Sequence, residues 1–316
     1  MKILITGCAG FIGSHVTELF LKKGFTIIGI DNFDPFYSKE QKLQNLNHAK
    51  EYKNFSFYDL DISDRGFASA LPGGIEFVIH LAAKAGVRPS IDAPFDYVDT
   101  NINGTLNMLD YMRKNGVGKM IFGSSSSVYG NNKKVPFSES DVTDDPISPY
   151  AFTKKSCELL NHTYHKLYAI SILNLRFFTV YGPRQRPDLA IRKFTEHMLG
   201  GKAIHLFGNG QTARDYTFIS DICNGIFNAF NYMNAQGILF DTLNIGNHSP
   251  VKLIDMVNAI AEALDKKPQL IFDPMQPGDV DITYADISKA QKLIDYHPRV
   301  PLNEGIASFV DWYTGL

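Results

Sequence analysis

The sequence predicts an α/β fold: a Rossmann-like doubly wound parallel sheet with a smaller mixed α/β substrate-binding lobe. Three observations predict it. Short apolar runs alternate with amphipathic segments through the first half, a glycine-rich turn joins the first run to the first helix, and this regularity loosens after about residue 180. Runs that are apolar throughout suit strands covered on both faces. Strand and helix in strict alternation call for parallel strands joined by right-handed crossovers.

The expected buried strands are KILIT (2–6), TIIGI (26–30), FSFYDL (55–60), EFVIHLA (76–82), KMIFGSS (119–125) and ISILNLR (170–176). FIGSHVTELFLKKG and NINGTLNMLDYMRKNG are amphipathic helical segments between them. Further on, YGPRQRPD is a Pro/Arg-rich loop, and helix, short strand and loop mix through KLIDMVNAIAEALD to the end. Nothing there resembles a linker. Residues 1–180 are therefore expected to form a dinucleotide-binding domain with the catalytic groups, and 181–316 mainly the substrate lobe, with the chain crossing between lobes more than once.

Composition narrows the function classes. With 44% apolar and 20% charged residues the 316-residue chain is ordinary soluble globular material. A net charge of -2 argues against a nucleic-acid partner. No stretch reaches ~18 uninterrupted apolar residues, so no membrane span is expected. Gly7, Gly10 and Gly13 punctuate the N-terminus too regularly for a signal peptide. Cys8, Cys157 and Cys223 are odd in number, widely spaced and without a CxxC or metal pattern, which fits a reducing cytoplasm and no metal site.

TGCAGFIG places its glycines directly after a strand and at the opening of a helix. Gly7 permits a tight turn, Gly10 lets the backbone approach a pyrophosphate, and Gly13 allows close helix–sheet packing, while the helix N-terminus offers unpaired N–H groups to the anion. The spacing is GxxGxxG, which leans toward the short-chain dehydrogenase type. Asp31, eighteen residues beyond Gly13 at the end of the second strand, is placed to bond a ribose 2′-hydroxyl and to repel a 2′-phosphate, so NAD is expected rather than NADP. Asp61 and Ile62, after the third strand, are candidates to meet the adenine; a strand-end Asp is also an ordinary turn residue.

Tyr150 and Lys154 form YxxxK, an i,i+4 pair on one helix face. The ammonium and a nearby cationic nicotinamide favour the phenolate of a Tyr whose ordinary pKa is about 10. Such a Tyr takes a proton from a sugar hydroxyl while hydride leaves the same carbon. A hydroxyl from the strand end SSSSVYG (124–130) completes the site.

GxxGxxG, Asp31, LAAKAGVR (81–88), NINGT (101–105), SSSSVYG, YxxxK, RFFTVYGPRQRPD (176–188), RDYTFISD (214–221) and MQPGDVDITYAD (275–286) occur in order across nearly the whole chain. In this the sequence resembles the extended short-chain dehydrogenase/reductase family, within it the NAD-dependent nucleotide-sugar epimerases, and among those most nearly the UDP-glucuronate 4-epimerases. The resemblance implies Ser125, Tyr150 and Lys154 as the catalytic set, and Phe11, Ile12, Asn32, Leu81, Ala82, Ala83, Lys84 and Asn101 on the cofactor side. It implies transient oxidation: Tyr150 removes the C4 hydroxyl proton, tightly held NAD takes the hydride, the 4-keto sugar turns, and hydride returns to its other face. Related dehydratases carry Asp-Glu before the Val-Tyr of this element; here Ser126 and Ser127 stand there, and hydroxyls are poor groups for elimination.

By the same resemblance Ser126, Ser127 and Thr179 hold the C6 carboxylate of a 4-keto-hexuronic acid, which loses CO₂ readily unless held still. Arg88, Arg184 and Arg186 are candidates for carboxylate or phosphate, or equally for tethers between the lobes. Arg214 and Asp279 fall on the substrate side, with Arg214 expected at the UDP diphosphate and Gln276 where UDP-galactose 4-epimerases carry a second Arg. Phe207 is placed to flank the uracil or to sit in the core. Leu106, Leu109, Leu159 and Leu160 lie on two helices that family members often pair across a two-fold, so a homodimer is expected. A UDP-glucose or UDP-N-acetylhexosamine 4-epimerase and a non-catalytic NAD(H) sensor remain as alternatives, and Ser124 has no role on sequence grounds.

Overall fold

The computed structural model describes residues 1–274 and 281–315. The first half runs β1 (Lys2–Thr6), α1 (Phe11–Lys22), β2 (Thr26–Asp31), α2 (Lys39–Lys50), β3 (Phe55–Asp59) and β4 (Phe77–His80). Two short helices, α3 (Val87–Asp92) and α4 (Pro94–Tyr97), lead through a π-helical turn (Val98–Asn103) into α5 (Gly104–Asn115). Then come β5 (Lys119–Ser125), a 3₁₀ turn (Ser126–Tyr129), α6 (Pro149–Tyr168) and β6 (Ser171–Phe177). The second half is β7 (Thr179–Tyr181), α7 (Ala190–Leu199), β8 (Ile204–Phe207), β9 (Ala213–Phe218), α8 (Ile219–Ala235), β10 (Phe240–Ile245), β11 (Pro250–Lys252), α9 (Leu253–Ala263), β12 (Leu270–Asp273), α10 (Ser288–Ile294) and α11 (Leu302–Thr314).

Seven strands form the main sheet in the order β3-β2-β1-β4-β5-β6-β10, every neighbouring pair parallel. The winding reverses between β1 and β4, which opens a crevice at their carboxyl ends. On one face Phe20 of α1 packs edge-on against Phe230 of α8, and Phe230 lies 4.9 Å from Phe77 of β4. On the other face Met108, Leu109 and Met112 of α5 and Cys157 of α6 cover Leu4, Val78, Met120 and Ile172. Burying each large side chain of this kind stabilises the fold by about 1.5–3 kcal/mol. Residues 219–245 return to this sheet, so its last strand comes from beyond the smaller lobe's first strands. That lobe packs α7, α9 and α11 with the sheets β11-β9-β7 and β12-β8 around Tyr181, Ile204, Met256, Ile260 and Phe309.

Two strands depart from the sequence expectation. β3 is only half-buried, because it is the sheet edge and has one neighbour. β4 ends at His80 rather than Ala82, because Thr6 Oγ1 accepts the N–H groups of Leu81 (3.0 Å) and Ala82 (2.9 Å) and draws the chain out of the ladder.

The joint between β1 and α1 depends on missing side chains. Gly7 has φ +71°, and a Cβ at Gly13 would lie 2.0 Å from the Gly7 carbonyl oxygen. Gly13→Ala should therefore destabilise by about 3 kcal/mol or more through overpacking against backbone. Gly116, which ends α5 at φ +68° with open space around it, should lose only about 1–2 kcal/mol on change to Ala. Denaturant midpoints of the two variants check the difference; equal losses would remove the packing argument.

Candidate active site

A cavity of about 1230 Å³ opens at the carboxyl ends of β1, β2, β4 and β5 and runs on to β8 and β9 of the smaller lobe. Its floor is the glycine turn. Gly10 caps α1 without any side-chain bond, so the first helical N–H groups have no side-chain acceptor there. A Cβ at Gly7 would meet the Ala82 nitrogen at 2.9 Å, which shows how closely LAAKAGVR passes the turn. Thr6 Oγ1 holds that passage: with two N–H groups bonded to it, its own proton goes to His80 Nδ1 at 2.8 Å. His80 is then the Nε2–H tautomer, which donates to Thr105 Oγ1 at 3.2 Å.

Asp31 is buried at the end of β2. One carboxylate oxygen accepts from Ala9 N–H (3.1 Å) and the other from Phe33 N–H (2.9 Å). Burial pushes its carboxyl up, while Lys42 and these two donors pull it down. The carboxylate lines the cavity and retains lone pairs for hydroxyls. A bare helix N-terminus over a glycine cradle, with a buried acid at the next strand end, fits a dinucleotide with a free 2′-hydroxyl. Phe11, Ile12, Gly13, Asn32, Ile62, Leu81, Ala82, Ala83 and Lys84 line the same end. Asp61 and Asn101 do not. Asp61 accepts from Asn32 Nδ2 (2.9 Å) and from Ser63 N–H and Oγ–H, fastening the turn after β3. Asn101 sits in the π-helical turn, bonds both the N–H and the carbonyl of Lys84, and donates to Thr153 Oγ1 on α6 at 3.0 Å. Lys84 Nζ pairs with Asp34 (3.0 Å) and Asp96 (3.4 Å).

Helix α6 starts on a Ser148 cap with Pro149 in its first turn, which puts Tyr150 at the helix mouth. The Tyr150 N–H donates to Ser90 Oγ at 3.1 Å, and its ring meets Tyr97 edge-on at 6.2 Å. Burial pushes the Tyr97 phenol up to about 12, so Tyr97 stays protonated. One turn on, Lys154 Nζ donates to the Gly123 carbonyl at 2.7 Å and lies 5.0 Å from the Phe122 ring. Ser125 caps the 3₁₀ turn: its oxygen accepts from Ser127 N–H (3.2 Å) and Ser127 Oγ–H (3.0 Å). With its oxygen so occupied, the Ser125 proton is left to donate. Ser125, Ser126, Ser127, Tyr150, Lys154 and Thr179 all line the cavity.

The arginines differ. Arg186 makes a two-pronged pair with Asp188 (2.9 and 2.9 Å) and also stands 5.6 Å from the Phe36 ring. Burial lowers its pKa but Asp188 more than restores it, so the guanidinium stays charged. Arg184 forms an ion pair with Glu18 of α1 at 2.6 Å and is a tether. Arg88 lies over the face of Phe207, 5.0 Å from its centre, and both line the cavity. Phe207 is half-buried rather than a core residue, since β8 has a partner strand on one side only. Arg214 reaches the cavity and donates to its neighbour's carbonyl, Ala213, at 2.9 Å. Gln276 and Asp279 lie outside the described residues.

Sequence reasoning missed Ser90, Tyr97, Gln185 and Tyr216. Ser90 supports Tyr150 from outside, and the other three line the cavity. They lie in no recognisable spacing.

His80 gives the site a pH signature. Burial, with the Lys154 charge adding to it, pulls its pKa down to about 3. Below the ordinary histidine value of about 6.5 the unfolded chain therefore binds a proton that the folded protein refuses, and stability falls as pH drops from about 6.5 toward 3. His80→Gln should flatten that slope by up to about 1.4 kcal/mol per pH unit, read from denaturant unfolding between pH 4 and 7.

Known proteins share this fold over nearly its whole length. The family described as GDP-mannose 4,6 dehydratase matches residues 4–309. A UDP-glucuronate 4-epimerase from Thermodesulfobacterium geofontis is 40% identical over 312 residues, spanning 98% of this chain and 95% of that protein. The crystal structure of UDP-glucuronic acid 4-epimerase from Bacillus cereus, in complex with UDP-glucuronic acid and NAD, aligns at a TM-score of 0.94 with 37% identity, over 100% of this chain and 99% of that one. UDP-glucose 4-epimerase from Thermotoga maritima, with UDP-glucose, aligns at 0.89 with 33% identity, over 100% and 99%. The likeness covers nearly the whole chain, and the chain belongs to the NAD-dependent epimerase/dehydratase family.

Proposed function

We propose that the protein is an isomerase that carries out NAD-dependent 4-epimerisation of a UDP-sugar, with UDP-glucuronate and UDP-galacturonate as its pair. The observation that carries this reading is the all-hydroxyl strand end: Ser125, Ser126 and Ser127 line the cavity that Tyr150 and Lys154 also line, with no acid among them. When bound, NAD accepts a hydride from the sugar C4 and gives it back, so net redox is zero.

The chain supplies the rest. Tyr150 Oη takes the C4 hydroxyl proton and later returns it, and the free Ser125 proton bonds the same sugar oxygen. Lys154, with one N–H on the Gly123 carbonyl, has two donors left for the dinucleotide ribose. Ser126 and Thr179 hold the C6 carboxylate by neutral hydroxyls, and Ser127, whose proton rests on Ser125 Oγ in the free protein, turns it to the carboxylate on binding; the three keep that group from turning out of plane and losing CO₂. Arg186 is already paired with Asp188, so it contributes little net charge there. The cavity exceeds the ~300–1,000 Å³ of an ordinary small-molecule pocket, which suits a dinucleotide and a nucleotide-sugar together and room for the keto sugar to turn.

In this reading residues 1–180 bind the dinucleotide and 181–316 mainly the nucleotide-sugar. The working unit is a homodimer: Leu106 of α5, Phe152 and Leu159 of α6 and Phe95 of α4 are exposed, whereas Leu109 and Leu160 pack on the protein's own core. The place of work is the cytoplasm. Its three thiols are free and buried, and no helix among the described residues is long and apolar enough to cross a membrane.

Incubation with UDP-glucuronate and NAD should yield UDP-galacturonate by NMR; unchanged UDP-glucuronate beside turnover of UDP-glucose would move the assignment to a neutral sugar. Tyr150→Phe should lower kcat by ~10³-fold or more. Ser126→Ala with Ser127→Ala should raise KM for UDP-glucuronate about 100-fold and release pentose product, as two lost bonds to a charged group of about 1.5 kcal/mol each imply.

A further inference from the structure

Behind the cavity lies a buried polar chain that the mechanism above does not use. Ser124, which precedes the catalytic hydroxyl in β5, donates from Oγ to Glu158 Oε1 at 2.6 Å. Glu158 stands on α6 one turn beyond Lys154. It also takes Arg176 of β6 on both oxygens, Nε to Oε1 at 2.9 Å and Nη2 to Oε2 at 2.8 Å. Arg176 Nη1 donates to Tyr129 Oη at 3.0 Å, and the guanidinium rests 4.9 Å from that ring. Tyr129 Oη donates to Asn244 Oδ1 of β10 at 2.6 Å, and Asn244 Nδ2 donates to the carbonyls of Phe137 and Asp286. All five side chains are at least nine-tenths buried.

Replacing a buried ion pair by apolar residues is often neutral or stabilising, so stability alone is a poor reason for one here. Its geometry is more telling. The chain ties β5 at the residue before Ser125, α6 one turn from Lys154, and Tyr129 at the end of the turn that carries Ser126 and Ser127. These are the elements that must hold a hydroxyl, a phenol and an ammonium in mutual register. We propose that Glu158, held by Arg176, is a positioning residue for catalysis, and that it sets Ser125 against Tyr150 and Lys154 through the Ser124 hydroxyl. Phe137, whose carbonyl ends the chain, itself lines the cavity, so the same chain reaches the wall around the sugar.

This inference rests on the epimerase reading, and Ser124→Ala tests it cleanly. The variant removes the tie between strand end and helix yet leaves Glu158 Oε1 bonded to Arg176, so no buried group is stranded. With UDP-glucuronate, or whichever of UDP-glucose and UDP-N-acetylglucosamine the wild type turns over, kcat per NAD-loaded site should fall about 10- to 100-fold while KM stays within about twofold. Deuterium at C4 should give a larger isotope effect on kcat in the variant, because misplaced groups slow hydride transfer; a smaller fraction of folded protein would leave that ratio alone. A kcat per loaded site within about twofold of wild type, or an isotope effect unaltered, overturns the positioning role. A wild type inactive on all three sugars overturns the epimerase reading instead.

Discussion

The start of α1 lies so close to the turn after β1 that a methyl group at position 13 would sit 2.0 Å from the Gly7 carbonyl oxygen. This contact decides where the helix begins, and therefore where its unbonded N–H groups point. LAAKAGVR then passes the same turn without room for a side chain at Gly7, so β4's exit is placed by the first joint. Asp31 locks the arrangement from the other side through the Ala9 N–H. Strand ends, helix mouth and acid thus hold one another.

The protein uses buried polar side chains to hold loops, chiefly by accepting backbone N–H groups. Asp215, beside Arg214, accepts the N–H groups of Asn247, His248 and Ala285 and gathers two other segments to its carboxylate. Thr6, its hydroxyl braced by His80, does the same for the loop after β4. A buried polar group with every bond made rigidifies its surroundings, whereas one left open is costly. The catalytic side chains project from loops and helix ends fastened in this way.

What could be read from the sequence was what local spacing encodes. The glycine turn, the YxxxK pair, the strand runs and the serine run each lie within a few residues, and the structure places the glycines, Asp31, Tyr150, Lys154 and the serines around one cavity. Ser124 was unreadable because its partner, Glu158, is 34 residues away, and Asn244 because Tyr129 is 115 away. Asn101 and Asp61 belong to motifs beside the cofactor end yet act as fasteners, a distinction that depends on which way a side chain turns. Phe207 looked like core material; the short two-stranded sheet that leaves it half-exposed is a tertiary fact.

The π-helical turn at 98–103 has a consequence for how this family can vary in length. Tyr97 Oη bonds the Ala85 carbonyl, and Asn101 bonds Lys84, so one helical segment grips two consecutive residues of the same loop. Each residue of an α-helix turns the chain by about 100°. Deleting one residue within the π turn would restore regular helix geometry, yet it would swing Tyr97 away from the loop while Thr105 still held His80. The wide turn is a register setting, and at this place a change of amino acid is more tolerable than a change of count.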